Sequence, residues 1–96
     1  MEKKFEGIIP PIVTPFDEDG TINETLLRSE MKTCMDAGAD GLSVAGSTGE
    51  GPTIRDEEYG TLIRAAKDYI SGEQPIVCGI MRTCTRDAVK AGLAAK

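Results

Sequence analysis

Three short apolar runs, spaced by amphipathic stretches, limit what this chain can fold into. They are Ile8-Ile9-Pro10-Pro11-Ile12-Val13, Gly41-Leu42-Ser43-Val44-Ala45 and Pro75-Ile76-Val77-Cys78-Gly79-Ile80. Each run is continuous rather than alternating, the pattern of a strand covered on both faces, as in parallel sheets. Their spacing is roughly 30 residues or slightly more, the usual size of a βαβ segment. Proline has no N–H to give a ladder, so Pro10 and Pro11 suit a central strand badly and predict that part of the first run is irregular or bulged.

The stretches between the runs read as helices. Asn23 is a candidate N-cap for the first helix. Leu27, Met31, Cys34 and Met35 follow at helical spacing as one apolar stripe, and Gly38 ends the helix as a C′ residue. The two methionines read as core rather than as a cofactor contact. The second helix opens with Asp56, Glu57 and Glu58, which complement the helix dipole rather than form a catalytic carboxylate cluster. Its buried face is expected at Tyr59, Leu62, Ile63, Ala66 and Ile70, and Ser71-Gly72 ends it. Thr85 is expected to cap a third helix that runs through Ala88, Val89, Ala91, Leu93 and Ala94, with Asp87 in its first turn. The order is β-α-β-α-β-α, with polar turns such as Asp17-Glu18-Asp19-Gly20 between elements. Parallel right-handed crossovers place the loops after all three strands on one edge of the sheet.

Those loops carry Thr14, the turn Gly46-Ser47-Thr48-Gly49-Glu50-Gly51, and residues Met81 to Cys84. Three glycines let the turn take positive φ and approach a ligand closely. The hydroxyls of Ser47 and Thr48 lie beside backbone N–H groups, and such a turn can form a concavity for a carboxylate or phosphate. A tight strand-to-helix turn whose Ser and Thr satisfy only local backbone fits the same residues. The turn is not a P-loop, because no Gly-Lys-Ser/Thr follows. Arg82 and Arg86 stand near this edge. Each can meet an anion, although a solvated arginine is the simpler role.

Composition excludes several classes. Lys plus Arg total 11 against 16 Asp plus Glu, a net charge of −5, which argues against nucleic acid or an anionic membrane as partner. No apolar run is long enough to span a bilayer. The N-terminal residues do not resemble a signal peptide, so the cytoplasm is the default location. There is no histidine, and Cys34, Cys78 and Cys84 form no CxxC pair. A structural zinc site, a disulfide framework and a Cys–His nucleophile are therefore not expected. Cys34 and Cys78 read as core, and Cys84 as the one thiol near a strand end that a ligand could meet.

Three βα units leave the outer strands with open edges beside apolar helix faces. A (β/α)8 barrel needs about 250 residues. The pattern therefore predicts that residues 1–96 are the first three βα units of a TIM barrel, the N-terminal part of one longer domain. A small open three-stranded α/β domain is the rival.

The residues also carry a family likeness. Gly7-Ile8-Ile9-Pro10-Pro11-Ile12-Val13-Thr14-Pro15-Phe16 resembles the opening strand of the dihydrodipicolinate synthase and N-acetylneuraminate lyase family. Asp36-Ala37-Gly38-Ala39-Asp40-Gly41-Leu42 resembles its helix-to-strand junction, and Gly46-Ser47-Thr48-Gly49-Glu50 its most recognisable short motif. The spacing agrees, and the likeness covers essentially the whole chain, about the first third of a typical member.

The resemblance implies a class I aldolase-type lyase or synthase. Pyruvate or a related 2-oxo acid forms a Schiff base with a lysine on a later strand, and the imine acts as the electron sink, with no added cofactor or metal. Carried over residue by residue, Ser47 and Thr48 hold the substrate carboxylate, and Thr48 joins a proton relay with a tyrosine. The family's lysine and relay tyrosine lie beyond position 96. Here Lys3, Lys4, Lys32, Lys67, Lys90 and Lys96 fall in the tail, on helices or at the chain end. Tyr59 and Tyr69 lie on the second helix, away from the active edge. The segment alone is thus expected to be inactive. A Ser-Thr pair resembles the sialic-acid lyase and sugar-acid branches slightly more than the synthase branch, where Thr-Thr is commoner. Family members are commonly homotetramers, which implies copies of itself as partners. The alternative is a non-catalytic protein of the same fold, a 2-oxo acid-binding protein or a truncated relict.

Overall fold

The computed structural model describes residues 3–96. Its regular elements are α1 (Glu24–Asp36), β1 (Leu42–Val44), α2 (Tyr59–Lys67), β2 (Ile76–Cys78) and α3 (Thr85–Ala95), with two 3-10 turns, Gly51–Thr53 and Asp56–Glu58, ahead of α2. The architecture is α/β. Strands β1 and β2 pair in parallel, with Leu42 opposite Ile76, Ser43 opposite Val77 and Val44 opposite Cys78.

The first apolar run does not become a regular strand. Residues 8–13 lie beside β1 and touch it through one parallel bridge, Pro11 to Ser43. The N–H of Asp40 donates to Ile8 O at 2.8 Å, that of Ser43 to Pro10 O at 3.1 Å, and that of Ile12 to Ser43 O at 2.8 Å. Pro10 and Pro11 lack the N–H groups that would complete the ladder, so the segment follows a strand's path without its full hydrogen bonding. Its start is pinned separately. The Asp40 carboxylate accepts from Ile8 N–H at 2.8 Å. Gly7, at φ +81°, leaves room for that carboxylate where a Cβ would overlap it.

Helix α1 begins as its sequence requires. Asn23 sits in extended backbone, and its Oδ1 accepts from the N–H of Leu26 at 2.9 Å, while its Nδ2 donates to Asp17 at 2.8 Å. Gly38, just past the helix at φ +101°, stops it in the left-handed conformation. Leu27 and Met31 are fully buried, and Cys34 and Met35 pack partly against the core. Replacing Asn23 with Ala removes the cap, and a urea titration is expected to show a loss of about 1 kcal/mol. An unchanged midpoint would show that the cap contributes nothing.

Helix α2 departs from expectation at both ends. Asp56, Glu57 and Glu58 form a separate 3-10 turn, and Tyr59 is the first α-helical residue. The helix stops at Lys67, before Ser71-Gly72, so Tyr69 and Ile70 lie beyond it. Its buried face is Tyr59, Leu62, Ala65 and Ala66, with Ile63 and Ile70 only half-buried. Helix α3 starts at Thr85 itself, so Thr85 is not its cap; Cys84 occupies that place without a side-chain hydrogen bond.

The core lies between the sheet and the helices: Leu42 and Val44 from β1, Ile12, Ala45 and Ile54 from the segments beside it, and Leu27, Met31, Tyr59, Leu62, Ala65, Ala66 and Ala91 from the helices. Successive strand residues face opposite sides. Leu42 and Val44 therefore point inward, whereas Val13 and Val77 stay about two-fifths exposed on the opposite, uncovered face. No helix among the described residues is long and apolar enough to cross a membrane.

Candidate functional site

The sheet brings three loops to one edge, as the βα order requires. At the C-terminal end of β1 the chain enters the turn formed by residues 46–51. The N–H of Gly51 donates to Gly46 O at 2.8 Å and that of Glu50 to Ser47 O at 3.2 Å, closing the turn on itself. From the first run comes Thr14, buried, whose hydroxyl donates to Gly49 O at 2.7 Å. From β2 comes Gly79, whose N–H donates to Val44 O at 2.9 Å.

Gly49 and Gly51 act by size and not by conformation. Gly46, Gly49 and Gly51 do not take positive φ; the left-handed residues are Ala45 (φ +58°) and Glu50 (φ +56°). This corrects the expectation drawn from the glycine count. A Cβ on Gly51 or on Gly79 would overlap the carbonyl oxygen of Ala45, and one on Gly49 would lie 2.8 Å from Ile12 O. The turn is thus wedged against its neighbours at Gly49 and Gly51, with no room for a side chain at either. Two non-glycine residues held at positive φ mark it as a strained segment that the surrounding packing enforces.

Ser47 and Thr48 are exposed at the crest. Among the described residues, no protein group bonds to their hydroxyls or accepts from their backbone N–H groups. Two hydroxyls and adjacent N–H donors face solvent on a rigid support. They can accept an anion without first breaking an internal bond.

Arg82 is not the solvated residue that its sequence position suggested. Its Nη1 donates to Gly51 O at 3.3 Å, and its Nη2 donates to Ile54 O and pairs with Asp56 Oδ1 at 3.1 Å. The guanidinium carbon lies 5.5 Å from the Tyr59 ring centroid. The Tyr59 hydroxyl is buried, and burial pushes its pKa up, only partly opposed by the Arg82 charge. Arg86, by contrast, is open to solvent. Sequence reasoning missed the Arg82 clamp because its partners lie 26 to 31 residues away.

Strands β1 and β2 contain no lysine. Lys90, on α3, lies 4.0 Å from the far oxygen of Asp56, and Lys4 and Lys32 pair with Glu73 and Asp36 at the surface. Cys34 and Cys78 are half-buried and Cys84 is exposed, all three as free thiols; burial pushes the Cys78 thiol up. Among the described residues no three His, Cys, Asp or Glu side chains gather as a metal site would need.

The sequence pattern of the dihydrodipicolinate synthetase family matches residues 4–96. The chain belongs to that family. It is 35% identical over 89 residues to 4-hydroxy-tetrahydrodipicolinate synthase of Polynucleobacter asymbioticus, covering 93% of this chain and 29% of that protein. In structure it resembles YagE, a prophage protein of Escherichia coli K12 from the dihydrodipicolinic acid synthase family, solved in complex with pyruvate. The TM-score is 0.80 at 32% identity, over 95% of this chain and 30% of YagE. A variant of Sulfolobus solfataricus 2-keto-3-deoxygluconate aldolase, in complex with L-2-keto, 3-deoxy-galactonate, matches with a TM-score of 0.75 at 30% identity, over 90% of this chain and 28% of the aldolase. The present dihydrodipicolinate synthetase family chain thus spans just under a third of the length of these relatives.

Proposed function

We propose that the turn carrying Ser47 and Thr48 binds the carboxylate of a 2-oxo acid, pyruvate above all. In this reading the chain is the first three βα units of a (β/α)8 barrel that acts as a Schiff-base lyase or synthase. The observation that carries the proposal is the pair of exposed, unpartnered hydroxyls and N–H groups at the end of β1. The likeness to a pyruvate-bound family member supports it. Thr48 also passes a proton to a tyrosine supplied, like the Schiff-base lysine, by polypeptide outside these 96 residues. Later strands would cover Val13, Val77 and the free edge of β2, and the assembled barrel forms a homo-oligomer. The 96-residue chain then binds the 2-oxo acid without turning it over.

Titrating the 15N-labelled chain with pyruvate is expected to shift the amides of Ser47, Thr48 and Gly49 saturably. Replacing Ser47 and Thr48 together with Ala removes two hydroxyl bonds to a charged group, each worth about 1.5–3 kcal/mol. Affinity should fall more than tenfold. Both residues are exposed, so stability should change by no more than about 0.5 kcal/mol. Unaltered pyruvate affinity in the double variant would defeat the clamp assignment. Borohydride with pyruvate is expected to leave the mass of this chain unchanged, and a covalent adduct would place a Schiff-base lysine within it.

A further inference from the structure

The turn is tied on two sides. Thr14 holds its middle through Gly49 O. Arg82 holds its exit through Gly51 O, and the start of the next segment through Ile54 O and Asp56. Gly51 is the closing residue, because its own N–H bonds back to Gly46 O. The Gly51 carbonyl belongs to the next peptide, Gly51–Pro52, so a group that holds it restrains the backbone on the exit side of the N–H that shuts the turn.

The Arg82 side chain is only 14% exposed and Asp56 26%, so solvent screens their bonds little. Tyr59 lies under the guanidinium and limits its rotation. The planar guanidinium serves three carbonyls, those of Gly51, Ile54 and Met81, and the Asp56 carboxylate at once, and a lysine ammonium cannot reproduce that geometry.

We infer that Arg82 is a positioning residue for the carboxylate-binding turn: it holds the Gly51 and Ile54 carbonyls and so sets how Ser47 and Thr48 present their donors, without touching the ligand. The inference rests on the carboxylate reading proposed above. A purely structural Arg82, tying α2 to the loop after β2, would lower stability alone.

The test compares the 15N-labelled 96-residue chain with its Arg82→Lys and Arg82→Gln variants, with Arg86→Met as the exposed control. Three readouts are taken: melting temperature, the amide positions and fast motion of Ser47 and Thr48 without ligand, and pyruvate affinity. In Arg82→Lys the two amides are expected to move and become more mobile, and affinity to fall about tenfold, while Arg86→Met matches the parent chain. Arg82→Gln, neutral and able to serve a single carbonyl, provides the same readouts if the lysine variant does not fold. A lower melting temperature with unmoved Ser47 and Thr48 amides and full affinity would overturn the inference. If the parent chain binds no pyruvate, the carboxylate reading fails by itself. The unliganded amides still decide for Arg82: displaced in the variant they support it, and unmoved they refute it.

Discussion

Gly79→Ala is expected to lower the melting temperature of the chain by about 10–20 °C. The new Cβ would be driven into the carbonyl oxygen of Ala45, a backbone atom that no rotamer change can move aside. Relief requires β1 and β2 to separate where Gly79 N–H bonds Val44 O, or Ala45 to leave its left-handed conformation. Overpacking of this kind costs about 1–3 kcal/mol, and more where backbone is the obstacle. In a domain of this size each kcal/mol moves the midpoint by about 4–8 °C. Gly46→Ala is the matched control, because nothing lies within 4 Å of its added Cβ and its φ is not positive. That variant should stay within about 0.5 kcal/mol of the parent. Equal melting curves for the two variants would show that the turn is not wedged against β2.

Thr14→Val is expected to cost about 1–3 kcal/mol, although it changes the shape of the side chain very little. The Thr14 hydroxyl is buried and donates to Gly49 O, which accepts no other bond among the described residues. Valine leaves that carbonyl desolvated and unpaired. Thr14→Ser keeps the donor and loses only a methyl group, so it should be distinctly milder. The two variants also separate support from binding. Thr14 lies beneath the turn, so Thr14→Val is expected to weaken pyruvate binding through a loosened turn, with the Ser47 and Thr48 amides moving before any ligand is added. Calorimetric unfolding together with the amide spectrum checks both halves. A valine variant as stable as the serine variant would mean that the hydrogen bond contributes nothing net.

Much of this molecule was legible in its residues. The Asn23 cap, the Gly38 stop and the stripe of Leu27 and Met31 are local features, set by propensities and periodicity within a few residues. The parallel order follows from apolar runs alternating with helical stretches, and it places Thr14, the glycine turn and the loop after β2 on one edge before any coordinate is known. The irregularity of residues 8–13 was readable as well, because a missing N–H at Pro10 and Pro11 is a covalent fact.

The sequence by itself therefore determined the α/β order, the family and the exposed Ser47-Thr48 pair. Only the tertiary structure decided how that pair is held. Gly49, Gly51 and Gly79 matter because the turn is crowded by Ile12 O from the first run and, with the exit of β2, by Ala45 O, contacts invisible to residue-by-residue propensity. Ala45 and Glu50 take the left-handed conformation that intrinsic preference assigns to glycine, because the packing around the turn outweighs that preference. Arg82 turns inward because two carbonyls, a carboxylate and an aromatic face converge on it from positions 23 to 31 residues earlier in the chain. A charged side chain leaves water only where folding brings its partners together, and no local pattern around Arg82 records that meeting.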